Sequence, residues 1–220
     1  MSVHLLTLLG NIASHMGIVE RKERQRKEVR ESILEAAWNV VNEDGWQSLS
    51  IRKIADAIEY SVPVVYDHFE NKEAILSEFN RQGFKLLGDK VKEAKATHTT
   101  AAGQLEAIAF AYWDFAFQNK EYYQLMYGLG MPSCESLTKV PELTAFIDVF
   151  HTTIDQLINE GGIEKDNVWM KVHSFWSMLH GLVSINLMAP PAGHLGLTAE
   201  QMNRLILTDF ISGFLKGLGK

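Results

Sequence analysis

Residues 61–69 read Ser-Val-Pro-Val-Val-Tyr-Asp-His-Phe (SVPVVYDHF), and the way they fold decides what the rest of the chain can be. Val62, Val64, Val65, Tyr66 and Phe69 favour a strand. Pro63 excludes a central strand, because it cannot donate to a sheet ladder. Ser61 resolves the conflict. As a helix N-cap it offers its hydroxyl to the free amides of a first turn. Pro63 then falls where the early amides lack intrahelical acceptors and a proline is tolerated. The expected element is a short helix over 62–69.

The flanking sequence is helical by its spacing. Over 24–42, Val29, Ile33, Ala36, Ala37, Val40 and Val41 recur at helical period, with charges on the other face. Gly45 follows as a stop. Ser50 is placed to cap a helix in which Ile51, Ile54, Ala55 and Ile58 share one side. A break is expected at Glu59-Tyr60, and Asn71 opens a longer helix over 72–95. Five more helical segments follow, over 104–118, 121–127, 142–160, 167–188 and 198–216. Gly128 to Pro132, Gly161-Gly162 and Ala189 to Gly193 separate them. The sequence contains no strand candidate and no repeat.

Bulk composition bounds the function. The chain has 220 residues, 46% hydrophobic and 22% charged, which is ordinary for a globular protein. Its formal charge is −6, so the whole molecule is not a basic coat for nucleic acid. The charge is segregated, however. Residues 21–30 (RKERQRKEVR) carry Arg21, Lys22, Arg24, Arg26, Lys27 and Arg30 against Glu23 and Glu28, whereas 101–220 carry 12 acidic and 7 basic side chains. Cys134 is the single cysteine, which excludes an internal disulfide and fits a reducing compartment. The first sixteen residues carry no charged side chain and look foreign to the rest. They are expected to be a cloning remnant or a mis-assigned start, with Met16 as the working start. Their apolar run, Val3 to Leu9, is too short to span a bilayer.

Two short helices joined by a tight turn, behind a basic amphipathic helix, form the helix-turn-helix pattern. The second short helix enters the major groove and the first supports it. Val62, Pro63 and Val64 are compact enough to approach base edges, and Val64 can touch a thymine methyl. Tyr66 and His68 can donate to phosphates, and Lys72 adds a charge. Such contacts fix register rather than read sequence. Taken singly, His68, Arg52 or the basic run is an ordinary solvated group. Their joint spacing carries the assignment.

The stretch SIRKIADAIEYSVPVVYDHFENKEAIL, Ser50 through Leu76, resembles the tetracycline-repressor-like (TetR) regulators. With the basic first helix, the resemblance covers roughly 20–76. It implies DNA contact by Arg52 from the supporting helix, a base-contacting face at Val62, Pro63 and Val64, and backbone contacts by Tyr66, His68 and Lys72. Ser50 and Ser61 complete the implied interface, and Phe69 is expected against the first helix. Two departures stand out. Glu59 occupies the turn where the family usually carries glycine; in a left-handed conformation it would cost about 1–2 kcal/mol. Val62 and Val64 replace the more polar residues common there, so methyl contacts and DNA shape become the expected means of specificity.

The segments NKEYYQLMYG (119–128) and WSMLHG (176–181) resemble the family's regulatory domain. The latter is similar to the subclass named for its Trp, His and Gly. Physically, the helices over 167–188 and 198–216 are apolar around nearly their whole circumference, which expects burial on both sides. One side would pack within the subunit and the other against a partner. Phe110, Trp113, Phe117, Tyr123, Met126, Phe146, Phe150 and Trp176 suit an apolar cavity, and at helical spacing they suit plain core equally well. His173, Ser177, His180 and Ser184 form a polar stripe that would pair across the dimer or bond a ligand.

Catalysis has little to stand on. His173 and His180 lie about 10.5 Å apart along a helix axis, and the metal, phosphate-loop and nucleophile motifs are missing. The expected molecule is all-α, with an extension over 1–19, a DNA-binding domain over 20–71 and a ligand-binding and dimerisation domain over 72–220. It is expected to be a cytoplasmic homodimeric regulator, most simply a repressor of a near-palindromic double-stranded operator, released by a small apolar effector. No cofactor, metal or membrane is implied. The alternatives are a helical small-molecule binder without DNA binding and, further behind, an enzyme.

Overall fold

The computed structural model describes residues 3–128, 140–161, 168–188 and 196–218, with side chains from residue 17 onward. Cys134 and parts of the three expected breaker segments lie outside these. The described elements are all helical: α1 (Val3–Asp44), a 3-10 turn (Trp46–Ser48), α2 (Ile51–Ala57), α3 (Val62–Tyr66), α4 (Lys72–Ala96), α5 (Ala101–Gln118), α6 (Lys120–Met126), α7 (Pro141–Gly161), α8 (Val168–Met188) and α9 (Ala199–Lys216). Two compact units, Met1–Ile75 and Leu76–Lys220, divide within the first turn of α4.

In the first unit, α1 packs on α2 and on the 3-10 turn, and α2 packs on α3. Ile33, Ala37, Val41, Trp46, Ile54, Val65 and Phe69 are buried. The helix period seen in the sequence therefore does place one face of α1 inward. Trp38 meets Trp46 edge-on at 6.0 Å. Gly45, at φ 78°, makes the turn after α1. Two expectations change. First, α1 begins at Val3 rather than near residue 24, because nothing in the early segment breaks a helix even though it lacks the charged amphipathic pattern. Second, α3 stops at Tyr66 rather than Phe69. The His68 amide bonds the Val65 carbonyl at 3.1 Å, so the chain tightens there and turns Phe69 into the core.

The turn between α2 and α3 has a specific cause. The Tyr60 amide reaches back to the Ala55 carbonyl at 3.0 Å and the Glu59 amide to the Asp56 carbonyl at 3.3 Å. That pair of bonds is a Schellman closure, which needs a left-handed residue, usually glycine, just past the helix end. Glu59 supplies it at φ 59°, the single non-glycine residue with positive φ among the described residues. The expected strain is present.

In the second unit, α5 lies at the centre, packing on α6, α7, α8 and α9. Leu105, Ile108, Tyr112, Phe115, Phe146, Phe150 and Phe175 are fully buried. Gly83 of α4 approaches α6 so closely that an added Cβ would sit 2.7 Å from Met126 Sδ. Within one chain α8 and α9 are buried on one side, and the side expected to meet a partner is exposed. Val172, Phe175, Leu179, Val183, Leu207 and Ile211 face inward. Met170, Met178, Ile185, Met188, Leu205 and Ile206 are exposed, Ile185 by 59%. Gly181 has open space where its Cβ would be. Among the described residues no helix is long and apolar enough to cross a membrane, and no three His, Cys, Asp or Glu side chains are grouped to hold a metal.

Candidate nucleic-acid interface and sensor core

Ser50 begins α2 as expected: its hydroxyl accepts from the Lys53 amide at 3.2 Å. A cap of this kind contributes about 1 kcal/mol. Ser61 behaves differently, because its side chain makes no capping bond. Pro63 has no amide to offer, and the Val64 amide is taken by the Ser61 carbonyl at 3.0 Å. The Ser61 hydroxyl is exposed and uncommitted to the fold.

Around α3, Ser61, Pro63, Tyr66 and Asp67 are exposed, Val62, Val64 and His68 are half-buried, and Val65 is core. The compact tip is therefore presented, with Tyr66 50% exposed beside it. Arg52 projects from α2, its side chain 87% exposed and loosely paired with Asp56 at 3.9 Å. Lys72, half-buried, starts α4, which Asn71 caps by accepting from the Ala74 amide at 2.8 Å.

Sequence spacing does not reveal how α1 joins this surface. An open groove of about 520 Å³ runs between α1 and α3, lined by Lys22, Gln25, Arg26 and Val29 on one side and Tyr60, Val64, Asp67 and His68 on the other. The basic run thus meets the reading helix. Arg30 lies 4.7 Å over the Phe69 ring, so Phe69 does sit against α1. Burial, then Arg26 and Arg30, lower the His68 pKa, with Asp67 opposing. At neutral pH His68 is an uncharged donor.

The sensor candidates scatter. Trp113, Tyr123, Met126, Phe146 and Phe150 are buried, Phe110, Trp176 and His180 half-buried, and Phe117, His173 and Ser177 exposed. Phe146, Phe150, His173 and Trp176 line one cavity of about 30 Å³ together with Ile147, Trp169 and Val172. The other candidates do not line it. Tyr112 joins Tyr123 at 2.8 Å, Tyr123 joins His180 Nδ1 at 2.7 Å, and Ser184 lies 3.4 Å from His180 Nε2. Ser184 belongs to the polar stripe expected on α8, whereas Tyr112 and Tyr127 were not among the site candidates. The i, i+4 pairs Tyr123/Tyr127 and His180/Ser184 were the signals available. Burial holds His180 low and neutral, and holds the Tyr123 and Tyr112 hydroxyls above their ordinary range.

Comparison with known proteins places both halves of the chain. The family described as "Bacterial regulatory proteins, tetR family" matches residues 33–79. "Tetracyclin repressor-like, C-terminal domain" matches residues 105–210. An uncharacterized HTH-type transcriptional regulator of Mycobacterium tuberculosis is 22% identical over 77% of this chain and 75% of its own length. The HTH-type transcriptional activator FasR of Mycolicibacterium smegmatis is 32% identical over 46% of this chain and 47% of its own. The solved structure of the transcriptional regulator FadR from Bacillus subtilis, in complex with stearoyl-CoA, superposes with a TM-score of 0.65 at 18% identity. It covers 83% of this chain and 98% of that one.

Proposed function

The chain belongs to the TetR family of transcriptional regulators, and from that premise we propose that it works as a homodimer whose two α3 helices read a near-palindromic operator. The helices enter successive major grooves about 34–36 Å apart. The observation that carries this proposal is the surface around α3, where a compact apolar tip lies beside the basic α1 groove. Val62, Pro63 and Val64 meet base edges. Ser50, Arg52, Ser61, Tyr66, His68, Lys72 and the α1 cation Arg26 hold phosphates, which supply most of the affinity.

Exposed apolar side chains on α8 and α9 support dimerisation, because a second copy would cover Met170, Met178 and Ile185. The apolar second unit supports an apolar effector. FadR, which shares the fold, holds stearoyl-CoA. Such an effector releases the operator by binding better to a state in which the heads no longer match the half-sites. Repression follows if the operator overlaps a promoter. The match to the activator FasR favours a second reading, in which the same head recruits transcription from an upstream site.

Selection of bound DNA from a random pool, with and without a metabolite mixture, tests the proposal. Enrichment of paired half-sites about one helical turn apart, diminished by the mixture, is expected. No enrichment would favour a small-molecule binder without DNA binding. Light scattering should give a dimer, and a stable monomer would contradict the assignment of α8 and α9.

A further inference from the structure

Lys95, in the last turn of α4, bonds to a neutral partner. Its ammonium donates to the Thr152 hydroxyl of α7 at 3.1 Å. Thr152 in turn donates to the Val149 carbonyl at 3.2 Å, so its oxygen is free to accept. Among the described residues no carboxylate pairs with Lys95. Lys27, Lys53 and Lys85 each meet one, Lys85 at 2.6 Å from Asp89. Lys95 is also half-buried, whereas Lys85 and Lys92 on the same helix are exposed.

A charged group withdrawn from water without an opposite charge is costly, and an amine avoids the cost by losing its proton. The end of α4 favours the ammonium through the helix dipole. Burial acts the other way and prevails, lowering the Lys95 pKa with no charge partner contributing. A larger share of Lys95 is therefore neutral than of a solvated lysine, and the neutral amine is the nucleophile.

Space adjoins this amine. An open groove of about 560 Å³ runs along α4 and α7, with Lys95 and Thr152 on its wall beside Ala96, Ala145 and Val149. Asp148 also lines it, exposed and without an ion pair to Lys95. The aliphatic wall suits an electrophile that carries a short hydrocarbon chain.

We propose that Lys95 is an acylation site, at which the side-chain amine takes a short acyl group from a thioester. The lone pair on Nζ attacks the thioester carbonyl carbon. A C–N bond forms, the C–S bond breaks, and the departing thiolate takes up the proton that the nitrogen loses. The products are an amide and a thiol, and no oxidant or reductant is needed. The site suits the product as well as the reaction. The amide keeps one N–H, enough for the bond to Thr152, and the acyl chain lies against Ala96, Ala145 and Val149. One positive charge leaves the end of α4, so the chain carries a covalent record of thioester supply.

The test incubates the full chain at pH 7.5 with the butyryl thioester of N-acetylcysteamine and follows each lysine by peptide mass spectrometry. Lys95 should be butyrylated about fivefold faster, or more, than Lys85, Lys90 and Lys92 of the same helix, because its neutral fraction is larger. Its rate should also level off at a lower pH than theirs. Thr152→Asp places a carboxylate at the hydrogen-bond partner, on an exposed position. It should restore the ammonium and slow Lys95 to the rate of its neighbours, leaving Lys85 unchanged. The butyrylated chain should melt at the parent temperature. Equal or slower modification of Lys95 in the parent, no modification of it at all, or a Lys95 rate that Thr152→Asp leaves unchanged would each overturn the proposal. So would a marked fall in melting temperature on butyrylation, by showing that the groove does not hold the acyl chain.

Discussion

The reading head and the sensor core use polar groups in opposite ways. In the first unit, Arg52, Tyr66, Lys22 and Arg26 are solvated, and their ion pairs are loose or missing. They are free to exchange water for phosphate. In the second unit, Tyr112, Tyr123 and His180 are withdrawn from water and bonded to each other at 2.7–2.8 Å. Substitution of these polar groups should therefore affect binding in the first and stability in the second.

The largest expected effect lies in the core. Tyr123→Phe leaves the Tyr112 hydroxyl and His180 Nδ1 without their partner. It should lower unfolding free energy by about 2–3 kcal/mol, measured by urea denaturation, without altering operator affinity under conditions where the variant is folded. A loss of affinity in the folded variant would break the division.

Next in size is Arg52→Ala. Operator binding should weaken by about 1–2 kcal/mol. The slope of log affinity against log salt should fall in magnitude by roughly two for a dimer. Denaturation should be unchanged. His68→Ala should likewise weaken binding without destabilising the fold. If both variants bind normally across a salt series, the phosphate contacts are misassigned.

Glu59→Gly removes left-handed strain from the α2–α3 closure. It should raise stability by about 1 kcal/mol, the strain relief less the added chain entropy of glycine. A decrease would mean that the glutamate side chain stabilises the turn by other contacts.

The smallest effects depend on pH. His68 has a lowered pKa in the free protein. A phosphate would raise it, so binding takes up protons, and affinity should increase severalfold as pH falls from 7 toward 5. His68→Asn should flatten that profile. His180 also has a lowered folded pKa. Its stabilising contribution is full above the unfolded value of about 6.5 and declines as pH falls below it, because the unfolded chain then binds more protons. Acidification thus strengthens the head's contact and weakens the core, and His180→Asn should reduce only the second trend.

This contrast also explains what the sequence makes legible. Helix period and Ser50, Asn71 and Gly45 are local signals, and the helices from α4 to α9 lie within a few residues of their expected positions. The head is a local motif, so its spacing survives in one dimension. Its misplacements are also local. Ser61 does not cap by its side chain because Pro63 lacks an amide and Val64 is already bonded. The Tyr112–Tyr123–His180 chain joins residues 11 and 57 positions apart on three helices. No periodicity encodes such a meeting. The same holds for Arg26 against His68, which depends on the angle between α1 and α3.

The most direct measurement of the central claim, that α3 reads bases through its compact apolar tip, is operator selection from a random pool with the parent chain and with Val64→Ala in parallel. The predicted result is the same half-site spacing with an altered base preference at one or two positions, where a thymine methyl contact has been lost. An unchanged preference with a uniform loss of affinity would contradict it, and would make Val64 a packing residue of the groove between α1 and α3.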